Sequence, residues 1–357
     1  MDNTNAKIKH IKLTNFTVFS DLDLSISSGI NVIIGENSLG KTHLMKVMYS
    51  ILKGNEEIIK KEAYSIDNKQ TIFSEKLVGV FKPDSLGRLV KRRRGVSNAE
   101  IKITLEGEKI GERNYEMSFS TKSKNNVVLG ESAEIQGLSS LYIPATEMLT
   151  IYPGFLSNYI NRRTPYDETF YYMALALGEL PSRGPQLKEA KQLLKPIEEA
   201  TNIKVSNSND KFYITFDKRG KMEASLVAEG MKKIGMLIYL ISNGSLGKNS
   251  ILFWDEPEAH LNPKYISIVV DFLKVIASRG VQVFVSTHDY LLSQRLSLIA
   301  ENDSPNKPDM QFIGLYNDEE DETTVFEVAD TLAGIEHNSI LDEFALYADD
   351  EEEIMYK

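Results

Sequence analysis

Two short clusters of residues can do chemistry. Gly35, Glu36, Asn37, Ser38, Leu39, Gly40, Lys41 and Thr42 spell a complete G-x-x-x-x-G-K-T loop. In such a loop the glycines let backbone amides turn inward around phosphate oxygens, the lysine reaches the terminal phosphates and the threonine hydroxyl is a magnesium ligand. The second cluster is Asp255-Glu256, which ends the apolar run Ile251-Leu252-Phe253-Trp254. Neighbouring strand residues point to opposite faces, so adjacent carboxylates suit two different jobs. Asp255 is expected to hold Mg2+ through water, and Glu256 to orient and deprotonate an attacking water. The phosphate loop by itself leaves kinase, GTPase and ATPase chemistry open.

The elements around these residues fit their roles. Ile30-Asn31-Val32-Ile33-Ile34 is an apolar strand that delivers the loop, and Leu44, Val47, Met48 and Ile51 give the helix after it an apolar stripe. The runs Ile8–Phe16 and Leu22–Ile26 read as a hairpin leading into the core. Val281–His288 supplies a further buried strand ending in histidine. Residues 56–140 are polar, with short alternating runs at Ile101–Leu105 and Tyr115–Ser120, so strands and loops are expected there rather than long helices. Ser139–Pro144 carries a short buried-strand signal. Residues 151–200 read as helical, in two pieces separated by Pro181-Ser182-Arg183-Gly184-Pro185. Ile203–Ser206 and Phe212–Phe216 flank a turn-rich Asn207–Asp210.

With 357 residues, 42% of them hydrophobic, the chain is large enough for one substantial domain with an insertion. The absence of cysteine excludes disulfides, thiolate zinc sites and cysteine nucleophiles. No apolar run approaches the roughly 20 residues of a membrane span, and the first residues do not resemble a secretory signal, so a cytoplasmic protein without membrane contact is expected. A net charge of -10 argues against an overall basic coat, although Lys91-Arg92-Arg93-Arg94 is a local basic run. The acidic runs 318–322 and 349–353 read as solvated loop and frayed tail. No internal repeat or sustained heptad pattern is present.

Beyond the acidic pair, the order of motifs resembles that of ABC-type ATPases. Asp255-Glu256 looks like the Walker B pair, Glu258-Ala259-His260-Leu261-Asn262 resembles the D-loop, and His288 in Ser-Thr-His-Asp resembles the switch histidine that contacts the terminal phosphate. The resemblance implies an α/β P-loop NTPase fold: a mixed or parallel core sheet, an N-terminal antiparallel β portion and an inserted, largely helical subdomain. One domain spanning 1–357 is expected, with 56–140 as a β-rich or loop portion and 151–200 as the helical insertion.

The resemblance also implies a homodimer or higher homo-oligomer in which one copy's signature segment completes the other's ATP site. Leu226–Met231 is the candidate, with Ala228, Glu229 and Gly230 touching the nucleotide in trans. It opens a helix whose Met231, Ile234, Leu237, Ile238 and Ile241 form an apolar face, and such a start offers free amides to phosphate. Ala228 stands where the family has serine, so turnover is expected to be slow unless Lys232, Lys233 or the amides compensate. No glutamine occupies the Q-loop position near Tyr142–Glu147; Thr146 or Glu147 is a candidate for approaching magnesium.

The opening Ile-Lys-Leu-Thr-Asn-Phe and the phosphate loop are similar to those of RecF- and OLD-related ATPases, including members from phage-defence and toxin-linked operons. Without heptads, the long insertion between Lys41 and Asp255 is not an SMC coiled coil. The segment after His288 is too short for the Toprim nuclease of OLD proteins together with the last core elements. These features imply a dimeric ATPase gating a separate effector. A RecF-like DNA clamp, gripping phosphates through Lys91–Arg94, is the rival expectation. A small-molecule kinase explains the phosphate loop but neither Asp255-Glu256 with the D-loop-like segment nor His288.

Overall fold

Alternation along the central strands sends successive side chains to opposite faces, and each face is closed by helices. The structure, a computed structural model, describes residues 5–247, 250–302, 307–318 and 323–355. The chain runs β1 (Lys7–Phe16), β2 (Phe19–Ser25), β3 (Ile30–Gly35), α1 (Lys41–Lys61), α2 (Ile66–Phe81), β4 (Asn98–Gly107), β5 (Gly111–Ser120), β6 (Val128–Leu129) and β7 (Ser139–Ile143). It continues as α3 (Phe155–Ile160), α4 (Glu168–Gly178), α5 (Pro185–Thr201), β8 (Ile203–Ser208), β9 (Lys211–Phe216), β10 (Gly220–Glu223) and α6 (Glu229–Ser242). Last come β11 (Ser250–Asp255), α7 (Ile266–Ala277), β12 (Gln282–Ser286), α8 (Tyr290–Glu301), β13 (Met310–Asn317), β14 (Thr324–Ala329) and α9 (Ser339–Met355).

Eleven strands form one mixed sheet in the order β6-β5-β4-β1-β2-β14-β13-β3-β12-β11-β7. The β7-β11-β12-β3-β13 portion is parallel, as buried strands joined through helices should be, and the β1-β2-β4-β5 portion is antiparallel. Val32, Leu252, Trp254, Val283 and Val285 face α6, α7 and α8, whereas Ile33, Ile251, Phe253 and Phe284 face α1 and α2. A separate three-stranded sheet, β8-β9-β10, lies between α5 and α6 in the chain. The α/β fold with an antiparallel amino-terminal part and an inserted helical segment is therefore as expected.

Two local expectations need correction. Within 56–140, α1 continues to Lys61 and residues 66–81 form a full helix, α2. Its start was written in the sequence: Ser65 accepts from the Asn68 amide as an N-cap, Asp67 sits in the first turn, and Phe73, Leu77 and Val80 are buried on one stripe. Lys76 then ties α2 to α4 through Glu168 at 2.6 Å and to α1 through Glu57. The acidic residues 349–353 are not a frayed tail but part of helix α9. Residues 319–322 of the other acidic run lie outside the described residues.

Candidate functional site

The phosphate loop sits between β3 and α1 and is held open by backbone geometry that only glycine tolerates well. Gly40 has φ 95°, and a Cβ there would stand 2.6 Å from Val18 Cγ2 in the β1–β2 turn. Glu36, Asn37 and Ser38 are exposed at the loop tip, while Leu39 is packed into the core beneath it. Lys41 curls back over the loop, donating to the carbonyls of Gly35 at 2.7 Å and Glu36 at 2.8 Å. Burial lowers the pKa of its ammonium, against the opposing fields of Glu256, Asp255 and Glu258. A bound phosphate would replace those carbonyls as partner of the same three donors.

Asp255 ends β11 on the α1 side and collects hydroxyls from three elements. Thr42 Oγ1 donates to Oδ2 at 3.0 Å, Tyr142 Oη donates to the same oxygen at 3.1 Å, and Ser286 Oγ donates to Oδ1. One carboxylate ringed by hydroxyls is an all-oxygen donor set, which suits Mg2+ sharing its remaining positions with phosphates and water. Thr42 and Asp255 therefore lie together, as the pattern requires. Ser286 and Tyr142 were not singled out in the sequence. Ser286 is legible in hindsight because it pairs directly across β11–β12 with Asp255, whereas Tyr142 is reached only through the sheet order.

Glu256 follows the strand with φ 45°, a conformation costly for a residue with a Cβ and held here by its neighbours. Its amide donates to the Ser286 carbonyl at 3.1 Å, and its Oε1 lies 3.5 Å from Nδ1 of half-exposed His288. The expected base and the expected phosphate sensor thus face each other at the rim. Behind them, buried Glu258 accepts from Thr287 Oγ1 at 2.7 Å, and burial raises its pKa.

Lys233, one of the compensations the sequence offers for the hydroxyl absent at Ala228, is committed elsewhere. Its side chain is fully buried and donates to the Glu256 and Ala259 carbonyls, each at 3.0 Å; burial brings its pKa down to about 8. Lys232 is equally committed, pairing with Glu147 at 2.8 Å and with Thr150 Oγ1 at 2.8 Å. Neither lysine is free to substitute for the hydroxyl missing at Ala228. Glu147 is spent in the same buried pair, so its carboxylate faces α6 rather than the Thr42–Asp255 cluster.

Ala228 and Glu229 are exposed at an α6 start with no side-chain cap, and Gly230 packs against the D-loop-like segment of the same chain. A Cβ on Gly230 would lie 2.8 Å from the His260 carbonyl oxygen. Glu229 Oε2 meets His260 Nδ1 at 3.1 Å. In the basic run, Lys91 donates to Val18 O and Ser20 Oγ, both at 2.7 Å, and leaves Arg92, Arg93 and Arg94 exposed.

A phosphate loop, a carboxylate beside its threonine and a rim glutamate, all at the carboxyl ends of adjoining parallel strands, define a P-loop nucleoside-triphosphatase site. Two family models match the chain: "AAA ATPase domain" over residues 7–143 and "AAA domain, putative AbiEii toxin, Type IV TA system" over residues 158–293. The "DNA replication and repair protein RecF" of Clostridium kluyveri is 30% identical over 122 residues, covering 31% of this chain and 31% of that protein. That of Bacillus cytotoxicus is 35% identical over 102 residues, covering 29% of this chain and 24% of that protein. The alignments thus span a third or less of these relatives' length.

In fold, the chain is similar to the SMC head solved with the C-winged helix domain of ScpA, with a TM-score of 0.58 at 13% identity, over 91% of this chain and 98% of that one. It is also similar to the Smc head domain with an extended coiled coil derived from Pyrococcus furiosus, with a TM-score of 0.51 at 12% identity, over 98% and 100%. Residues 7–143 and 158–293 thus each match an AAA ATPase domain model, and the fold is that of the SMC heads. No helix among the described residues is long and apolar enough to cross a membrane.

Proposed function

We propose that two copies of this chain close around two Mg2+-bound ATP molecules, hydrolyse them slowly, and use the open–closed cycle to gate a separate effector in bacterial anti-phage defence. The observation that carries the proposal is the α6 start: exposed, uncapped and clamped to the segment that follows the base Glu256. Such a helix end is built to receive phosphate, and in a sandwich it would receive the partner's. The phosphate loop and Lys41 would hold the triphosphate, while Thr42 and Asp255 would hold magnesium. Bound magnesium supplies a Lewis acid for the charge that develops on the phosphates. Glu256 would take the proton of the attacking water, and His288, 3.5 Å away, would carry the state of the terminal phosphate back to it. The toxin–antitoxin description of the family model over residues 158–293 supports the defence setting.

The test is a pair of variants. Glu256→Gln should keep ATP, lose about 100-fold or more in turnover because general-base catalysis is removed, and sediment as a dimer with ATP and magnesium. Lys41→Ala should lose nucleotide binding and stay single. Hydrolysis by Glu256→Gln at the wild-type rate would show that the base lies elsewhere.

A second proposal, a RecF-like DNA-binding role, is favoured by one observation: Arg92, Arg93 and Arg94 are exposed next to Lys91, which anchors them to the β1–β2 turn. Duplex DNA binding that weakens steeply with salt, and is lost in the triple Arg→Ala variant, would support it. Absence of binding at 50 mM salt would remove it.

A further inference from the structure

Helix α9 leaves the body of the protein almost uncovered. Ile340 is its one buried residue, whereas Phe344 and Tyr347, followed by Ile354 and Met355, expose an apolar stripe, Tyr347 at 63% and Ile354 at 78%. The rest of the helix carries acidic residues and no basic one. A helix with this pattern is short of a partner surface that is apolar in the middle and basic at its edges.

Its position says where that partner would come from. Ser339 and Asp342 share a cavity of roughly 560 Å³ with Glu36 and Leu39 of the phosphate loop. Phe344 packs at a tilt against Tyr290, two residues after His288, with ring centroids 4.2 Å apart. The first turns of α9 therefore lie on the nucleotide face, and about 20 Å of helix continues from Asp342 at 1.5 Å per residue.

In a nucleotide sandwich, whatever flanks the phosphate loop of one copy meets whatever flanks the signature segment of the other. The signature segment is reached directly from β10, through a turn that exposes Leu226 at 71%. The β9–β10 connection before it exposes Lys218 and Arg219. Lys218 and Arg219 precede β10 and Leu226 follows it, so this strand carries a basic pair at one end and an exposed apolar residue at the other, a complement to the apolar and acidic positions along α9.

We propose that α9 is a clasp: in the ATP-bound dimer it lies across the partner copy's β9–β10 lobe, with Phe344 and Tyr347 against the exposed Leu226 region and Asp349, Asp350 and Glu351 against Lys218 and Arg219. This rests on the dimer proposed above and adds a contact surface outside the nucleotide. Two clasps form per dimer, so ATP-driven closure gains strength from charges that touch no phosphate.

Charge exchange on the full-length chain in the Glu256→Gln background tests this, with Mg-ATP present and dimerisation followed by sedimentation. Asp349, Asp350 and Glu351 all changed to lysine should weaken the dimer at least tenfold at low salt, where charges are felt over about 10 Å. Affinity for a fluorescent ATP analogue should stay unchanged. Combining that variant with Lys218→Glu and Arg219→Glu should restore the dimer to within about threefold.

The chain has no cysteine, so copies carrying Tyr347→Cys and Leu226→Cys, mixed, should cross-link only when ATP is present. A parent that never dimerises overturns the dimer and the clasp together. A dimer unaffected by reversal, not restored by the exchange, or not cross-linked overturns the clasp alone and leaves α9 to another occupant.

Discussion

Lys233 shows how one buried cation links two parts of the site. Its ammonium holds the backbone of Glu256, which sits at φ 45°, and of Ala259, while its own backbone belongs to the helix that presents Ala228 and Gly230. Replacement by methionine would leave two part-buried carbonyls without their donor, at up to about 1–3 kcal/mol each, partly offset because a desolvated charge is no longer buried. Glu256, the proposed base, would lose its fixed orientation. Lys233→Met should therefore lower kcat by roughly tenfold, with KM for ATP within about twofold, since mispositioning a base removes stabilisation felt only in the transition state. The pH dependence provides a second readout. Burial lowers the folded-state pKa to about 8 from an ordinary value of 10.5, so between those values the unfolded chain holds the extra proton and folded-state stability rises with pH. Wild type should gain on Lys233→Met in a denaturation series over that window. Parallel stability curves would mean that the fold does not lower the pKa of Lys233 and that its ammonium keeps its proton across that window.

At the scale of elements, α6 and the D-loop-like segment are locked by backbone proximity as well as by Lys233. Gly230 and Gly235 lie on the same helix, and glycine-to-alanine at either gains up to about 1 kcal/mol of helix propensity. At Gly235 the added methyl meets side-chain tips, Ile214 Cδ1 at 3.1 Å and Val205 Cγ2 at 3.2 Å, which can give. At Gly230 it meets a backbone carbonyl at 2.8 Å, which cannot move without carrying His260 along. Gly235→Ala should be neutral or slightly stabilising in thermal unfolding. Gly230→Ala should cost about 1–3 kcal/mol and, in the proposed dimer, impair ATP-driven association; equal behaviour of the two would show that the contact does not hold the helix start.

The same elements show what could be read in advance. β3, β11 and β12 are announced by apolar runs ending in candidate site residues, and α1 and α6 by their stripes. Helix α2 was hidden because its solvent face is as polar as a loop and its signal lies in the Ser65 cap rather than in composition. The partners of Asp255 were half legible: Thr42 belongs to the motif, but Tyr142 reaches Asp255 only because β7 lies beside β11 in the sheet order. The choice among Lys232, Lys233 and the amides stays open in the sequence because adjacent residues on a helix point about 100° apart, and neither direction can be assigned before the neighbours of α6 are known. Both directions turn out to be inward.

For the whole molecule, the proposed cycle is a question of how much ATP must prefer the closed dimer. Moving a two-state equilibrium from 1:99 to 99:1 takes about 5.5 kcal/mol of differential binding. A symmetric dimer with two nucleotides needs roughly half of that from each, or about 100-fold tighter ATP binding in the closed form. Ala228 lacks the hydroxyl that would contribute a charge-assisted hydrogen bond, worth about 1.5–3 kcal/mol. With Lys232 and Lys233 both committed inside the chain, contact with the terminal phosphate falls to the α6 amides and helix dipole. Closure at modest ATP concentration should then be incomplete in the wild type. Ala228→Ser should restore one hydroxyl at each of two sites, tightening the ATP-dependent dimer by on the order of 100-fold and raising turnover, while ATP affinity of the single chain stays the same. Sedimentation across an ATP titration, compared with equilibrium binding at protein concentrations too low to dimerise, separates these quantities. An unchanged dimer constant with serine in place would mean that the α6 start does not meet the terminal phosphate, and the sandwich geometry would have to be abandoned.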